Sequence, residues 1–347
     1  MNFASDNTGR VHPKIMAALA AANEGHLPSY GTDPITRAAQ DRIREIFEAP
    51  EAAVHFVSTG TASNALALSL LTPGWGRVFC HENAHIQTSE TGAPEFFMGG
   101  GKLLLVGGEG GKMDTASFAH ALQTYGDASV HAGQNSGLSL TNGTEAGTIY
   151  SVGEVRDLSA MAHDAGLAVH MDGARFANAL AAQNTSAADA TWRAGVDILS
   201  LGATKNGCMG AEAVVIFDPA KSMEFEYRRK RGGHLFSKHR YLSAQILAWL
   251  DDGLWLELAG HANAMARALA EGLAGIAGVA IDQRVETNGV FVTLPQAAVT
   301  RLVAAGASFH YWPEPAEGDA SVSLRLICGW DTRPEDVERF LSVLREG

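Results

Sequence analysis

Leu167-Ala-Val-His-Met-Asp-Gly-Ala-Arg175 and Val196-Asp-Ile-Leu-Ser-Leu-Gly-Ala-Thr-Lys-Asn-Gly207 decide how this chain is read. Each opens as a short apolar run of the kind buried in a parallel sheet. Each ends in glycine and small residues with a charged group at the end of the run, Asp172 in the first and Lys205 in the second. A lysine on a glycine-flanked turn directly after a buried strand is poorly placed for a solvated surface charge. An unpaired buried ammonium is costly, so the position asks for a chemical role. Asp172 and Arg175 both look into the crevice where α/β sheets bind ligands, at the carboxyl end of a strand. The plain alternatives are a helix N-cap for Asp172 and a surface position for Arg175.

Working outward, the same pattern repeats. Strands are predicted over 54–58, 77–80, 102–106 and 213–217, and helices over 13–24, 35–48, 153–165, 186–194 and from Gly60 onward. Short apolar strands alternating with helices give an α/β fold whose mostly parallel central sheet is covered on both faces. After residue 250 the character changes. A long Ala-rich helix over 256–275 is followed by strands near 279–282, 289–294 and 322–327 and helices near 296–305 and 334–345. The expected division is a large domain over 1–250, including the N-terminal segment, and a smaller α+β domain over 251–347.

The chain has 347 residues, 46% hydrophobic and 18% charged, with a net charge of −12. That balance argues against nucleic-acid and anionic-membrane partners, whose footprint is basic. The one basic run, Arg228-Arg-Lys-Arg231, fits a solvated helix face or a site for one phosphate or carboxylate. No apolar run is long enough to span a bilayer, and the N-terminus is polar. Cys80, Cys208 and Cys328 are far apart and odd in number, which reads as buried free thiols in a reducing compartment, so the cytoplasm is expected.

Four further features carry chemistry. A lysine able to form an imine, with an aspartate able to face a pyridinium nitrogen, is the protein signature of pyridoxal 5′-phosphate (PLP) binding. Ser58-Thr-Gly-Thr-Ala-Ser-Asn64, between a strand and a helix, is a ready anion site for its phosphate, or else a simple capped helix start. His81-Glu-Asn-Ala-His85 matches the zinc-peptidase pattern, but it begins at a strand-to-helix junction, so no metal is expected. His85 instead suits a ring stacked on a planar cofactor. Arg325, in the apolar strand Val322-Ser-Leu-Arg-Leu-Ile-Cys328, faces either solvent or a substrate carboxylate, which arginine grips in bidentate fashion.

Taken together, Phe3-Ala-Ser-Asp-Asn7, Tyr30-Gly31, Gly60-Thr61, His85 with Gly92-Ala-Pro-Glu-Phe96, Met171-Asp-Gly-Ala-Arg175, Thr204-Lys-Asn-Gly207 and Arg325-Leu-Ile-Cys-Gly-Trp-Asp331 resemble the low-specificity L-threonine aldolases. These are PLP-dependent lyases of fold type I, the aspartate-aminotransferase-like fold. The likeness runs from residue 3 to about 345.

The resemblance implies that Lys205 carries PLP, Asp172 pairs with its ring nitrogen, His85 stacks on the ring, and Gly60, Thr61 and Ala62 bind the phosphate. It implies that Ser5, Arg175 and Arg325 hold the substrate carboxylate, with Arg175 also beside the cofactor and with Tyr30 and Ser89 near the substrate. His131 falls where the family has a second histidine near the substrate hydroxyl. Lys230 or Arg231 is expected to reach the phosphate of a neighbouring subunit in a homodimer with shared sites, assembled into a tetramer. The implied reaction is retro-aldol cleavage of L-threonine or L-allo-threonine to glycine and an aldehyde, and the small Ser89 leaves room for phenylserine-type substrates as well. Two features depart from the family: the polar segment after His131 and the small Ser89. Other readings are β-elimination or transamination on the same fold and, remotely, a zinc hydrolase through His81 and His85.

Overall fold

A computed structural model describes residues 1–126 and 129–346. The apolar runs become β1 (Ala53–Val57), β2 (Gly76–His81), β3 (Lys102–Val106), β4 (Gln134–Thr141), β5 (Ala168–Gly173), β6 (Ile198–Gly202) and β7 (Glu212–Ile216) of one sheet. Every residue of β1, β6 and β7 is buried, as strands between two helical layers must be. Their order is β1-β7-β6-β5-β4-β2-β3. From β6 to β3 the neighbours are parallel, and only β7 runs against its partners β6 and β1. The carboxyl ends of β1, β2, β4, β5 and β6 therefore gather along one edge.

The helix Gly60–Leu71 is apolar nearly all round and buried from Ala62 through Leu70. Such a helix belongs between layers rather than on the surface. It lies across β5, β6 and β7 and starts at the edge where the strands end.

A second, antiparallel sheet comprises β8 (Ala280–Ile281), β9 (Gly289–Pro295), β10 (His310–Tyr311) and β11 (Ser321–Ile327), in the order β10-β11-β9-β8. Its core does not begin at residue 251. Phe3 is fully buried there against Phe340, ring centroids 5.3 Å apart. The Phe3 N–H donates to Ser308 O at 2.8 Å, and the Ile327 N–H donates to Phe3 O at 2.8 Å. The helix Leu254–Leu273 is also shared: Trp255 and Ala259 pack in the large core, Ala266 and Leu269 in the small one. The N-terminal segment is thus packed into the core of the second sheet, and the helix Leu254–Leu273 contributes to both cores.

All three cysteines are buried and free. Burial pushes the thiols of Cys80 and Cys328 up to about 12, and that of Cys208 upward as well. No helix among the described residues is long and apolar enough to cross a membrane.

Candidate active site

The carboxyl edge of the large sheet faces β9 and β11 across a cavity. Its walls include Ser5, His85, Ser89, Glu145, Asp172, Ala174, Arg175, Lys205, Trp312 and Arg325.

Lys205 sits on the single 3₁₀ turn Thr204–Asn206, directly after β6. The turn is fixed from three sides. The Ala203 N–H and the Thr204 hydroxyl donate to the Glu212 carboxylate at 2.9 and 2.6 Å. The Asn206 side-chain amide donates to Trp255 O at 2.7 Å. Gly207 closes the turn at φ 100°, a conformation that disfavours any side chain. Gly202 allows a close approach: a Cβ there would lie 2.6 Å from the Ala174 Cα. The loops after β5 and β6 are therefore pressed together, which sets Lys205 beside Asp172 and Ala174. Among the described residues the Lys205 amine has neither a hydrogen-bond acceptor nor an ion-pair partner, although it is half-buried. Burial pushes Glu212 up to about 7 even though Thr204 and Ala203 donate to it.

Asp172 is buried near the end of β5. It accepts from the Asn64 side chain at 2.9 Å and from the Ala174 N–H at 3.0 Å. Asn64 also donates to Glu90 at 2.9 Å, and the same Glu90 oxygen lies 2.8 Å from His85 Nδ1. One polar chain thus links Asp172 to His85 through Asn64 and buried Glu90. The Glu90 contact holds the His85 pKa above the usual histidine range despite partial burial.

The N-terminus of the helix Gly60–Leu71 lies one turn from Asn64. Thr59 caps it by accepting from the Ala62 N–H at 3.2 Å. The first N–H groups of a helix have no partner inside it. The Gly60 and Thr61 N–H groups have no acceptor among the described residues, and an added Cβ at Gly60 would meet nothing within 4 Å.

Arg175 lines the cavity with two of its three guanidinium nitrogens already engaged. Its Nε and Nη2 donate to the two oxygens of Asp6 at 2.8 and 2.9 Å. Asn288 donates to the same carboxylate at 3.0 Å. Burial works against Asp6, yet Arg175 and Lys205 hold its carboxyl below the ordinary range. Arg325, on β11, has no salt-bridge partner among the described residues, and its Nε has no hydrogen-bond acceptor. Its guanidinium lies 5.3 Å from the Trp312 ring centroid. Burial and the nearby Arg175 draw its pKa below the usual arginine value.

The remaining expected residues divide. Ser5 and Ser89 line the cavity, the latter exposed beside Thr88. His131 does not. It lies on an exposed turn before the amino end of β4, and that eight-residue strand separates the turn from the cavity edge by roughly 25 Å. Tyr30 is likewise outside the cavity, 45% exposed, with the Lys230 amine 4.8 Å from its ring centroid. Lys230 and Arg231 are exposed at the end of the helix Ser222–Arg231 and do not line the cavity. His81 ends β2, whereas His85 opens the separate short helix His85–Thr88. Both His81 ring nitrogens are already engaged, with Gly108 O and the Asn83 N–H.

Asp6, Asn64, Glu90, Glu145 and Glu212 had not been assigned roles from the sequence. Glu145 is half-buried in the loop after β4, and its Oε1 accepts from the His85 N–H at 2.9 Å. Burial, reinforced by Asp172, pushes it up to about 7. The cavity continues past Glu145, Phe291 and Trp312 into a recess reaching Asn83, Asp282 and Ser323.

Residues 2–297 match the family described as beta-eliminating lyase. The low specificity L-threonine aldolase of Pseudomonas aeruginosa is 42% identical over 344 residues, covering 99% of this chain and 96% of the relative. Its counterpart from another Pseudomonas species is 40% identical over 343 residues, with 99% and 96% covered. The solved threonine aldolase of Leishmania major superposes with a TM-score of 0.93 at 32% identity, covering 99% of this chain and 98% of that one.

Proposed function

The chain belongs to the beta-eliminating lyase family and, within it, to the low specificity L-threonine aldolases; from that premise we propose how its residues divide the work. It is a carbon–carbon lyase that uses pyridoxal phosphate and cleaves L-threonine and L-allo-threonine to glycine and an aldehyde.

The observation that carries the assignment of residues is the unpartnered, half-buried Lys205 amine next to the Asp172 carboxylate, with the open helix N-terminus at Gly60 on the same edge. An amine, an anion and a phosphate cradle at the ends of adjacent elements fit this cofactor. Lys205 would hold its aldehyde carbon, Asp172 its ring nitrogen and the N–H groups of Gly60 and Thr61 its phosphate, with Ala62 beside them and His85 against the ring. When bound, the cofactor supplies an electron sink for the pair released at Cα.

The rest is done by the chain. Asp172, anchored by Asn64 and Ala174, keeps its negative charge where a ring N–H needs it. Arg325 takes the substrate carboxylate in a charge-assisted contact, and Ser5 flanks it. Arg175 fixes Asp6, and so the N-terminal segment that carries Ser5, and keeps its Nη1 for the substrate carboxylate. Small Ser89 and the recess beyond Trp312 leave room for large substituents on Cβ, which supports cleavage of phenylserine-type substrates.

The exposed Tyr30, Lys230 and Arg231 are available to a second copy, consistent with a homodimer that shares its sites and pairs into a tetramer. Three buried free thiols agree with a cytoplasmic setting.

The test is direct. Pure protein should absorb in the visible as a cofactor imine, borohydride should fix the label on Lys205, and L-threonine should yield glycine and acetaldehyde. Formation of 2-oxobutanoate in place of glycine would make it a β-eliminating enzyme.

A further inference from the structure

We propose that Glu145 accepts the β-hydroxyl proton of the substrate as the Cα–Cβ bond breaks. The inference rests on the aldolase reading above and goes beyond it by naming the base.

Within one chain, with His131 at the opposite end of β4, few groups in the cavity can take that proton. The Nδ1 of His85 is held at 2.8 Å by buried Glu90, a contact that favours the imidazolium, which donates rather than accepts. Lys205 serves the cofactor and Cα. Asp172 is engaged by Asn64 and Ala174 and belongs to the ring nitrogen.

Glu145 is left, and its placement is specific. One oxygen is fixed by the His85 N–H at 2.9 Å, and apart from Glu145's own backbone N–H no other described residue donates to the carboxylate. It lines both the cavity and the adjoining recess, at the seam marked by Phe291 and Trp312. A substrate held by Arg325 at its carboxylate, with its Cβ substituent in the recess, carries Cβ and its hydroxyl past that seam. Burial beside Asp172 brings the carboxyl to about 7, near the value at which a general base works best in neutral solution.

In the step, the hydroxyl O–H breaks and its proton bonds to the Glu145 carboxylate. The O–H electron pair becomes the second bond of the aldehyde carbonyl, and the Cα–Cβ pair stays with Cα. Cα then takes a proton from the Lys205 ammonium, and the proton on Glu145 passes to solvent as the aldehyde leaves. No oxidant or other co-reactant enters.

The experiment uses the cofactor-loaded enzyme. Glu145→Gln keeps an acceptor oxygen for the His85 N–H but cannot hold the proton. Threonine cleavage should fall about 10²-fold or more. Visible absorbance, glycine affinity and solvent exchange of the glycine α-proton should stay within about threefold of wild type, since none involves a β-hydroxyl. Glu145→Ala should regain part of its cleavage rate with added formate. Cleavage by Glu145→Gln within about threefold of wild type, or a parallel loss of all these signals without formate rescue, overturns the assignment. If wild-type enzyme produces no glycine from threonine, the aldolase reading itself falls, whatever the variants do.

Discussion

Arg325 and Arg175 lie in the same cavity and carry the same charge, but their surroundings give them different work. Arg175 is neutralised by Asp6, whereas Arg325 has no carboxylate partner among the described residues. Arg325→Ala should therefore lower kcat/KM for L-threonine by roughly 10²-fold or more while the bound-cofactor spectrum is kept. Loss of the spectrum with unchanged kinetics in the residual holoenzyme would make Arg325 structural. Glu145 and Glu212 give the site a pH signature of its own. Both are raised from 4.5 to about 7, so the fold favours their protonated forms. That contribution to stability is complete below about 4.5 and is lost as pH rises through about 7. Urea midpoints of cofactor-stripped protein should fall across that window, and Glu212→Gln should remove a large part of the fall. An equally steep fall in the variant would mean that Glu212 ionises freely.

At the scale of elements, the strands that bear Asp172 and Lys205 were legible because their apolar runs are continuous and end in glycine. β4 was not: its first residues, Gln134, Asn135 and Ser136, lie at the partly exposed rim, and only Gly137 through Leu140 are buried. The stretch 186–194 looked helical but folds as turns with one 3₁₀ segment, Trp192–Ala194. His131 was placed by family likeness, which sees order along the chain and not which end of a strand a turn occupies. Glu90 and Asn64 escaped notice because their partnership is tertiary: 26 residues apart, they meet only when a helix start and a strand-end loop converge. Gly202 shows how much the site depends on two elements touching. Gly202→Val would drive side-chain atoms into the Ala174 backbone. A loss of about 1–3 kcal/mol is expected, together with weaker cofactor retention, measured by thermal melting and by cofactor titration. A variant with wild-type melting and affinity would show that the loops after β5 and β6 can separate freely.

Across the whole molecule, the N-terminal segment acts as a clasp. Phe3 is buried in the small core, and three residues later Asp6 grips Arg175 of the large unit and Asn288 of the small one. Phe3→Ala should cost about 3–5 kcal/mol, as for other fully buried aromatics, and should raise KM because Ser5 and Asp6 lose their anchor. Denaturant titration with matched kinetics checks both effects, and a stability loss with unaltered KM would separate the clasp from the site. The buried cysteines have a practical consequence. Thiols react as thiolates, and burial has pushed Cys80 and Cys328 up to about 12 and Cys208 upward, so the folded protein presents no easily alkylated sulfur of its own. A cysteine introduced at Val130, which is 98% exposed on the edge opposite the cavity, would be a single addressable handle. A maleimide dye or a solid support could then be attached there at one site per chain, with the catalytic face left turned toward solvent.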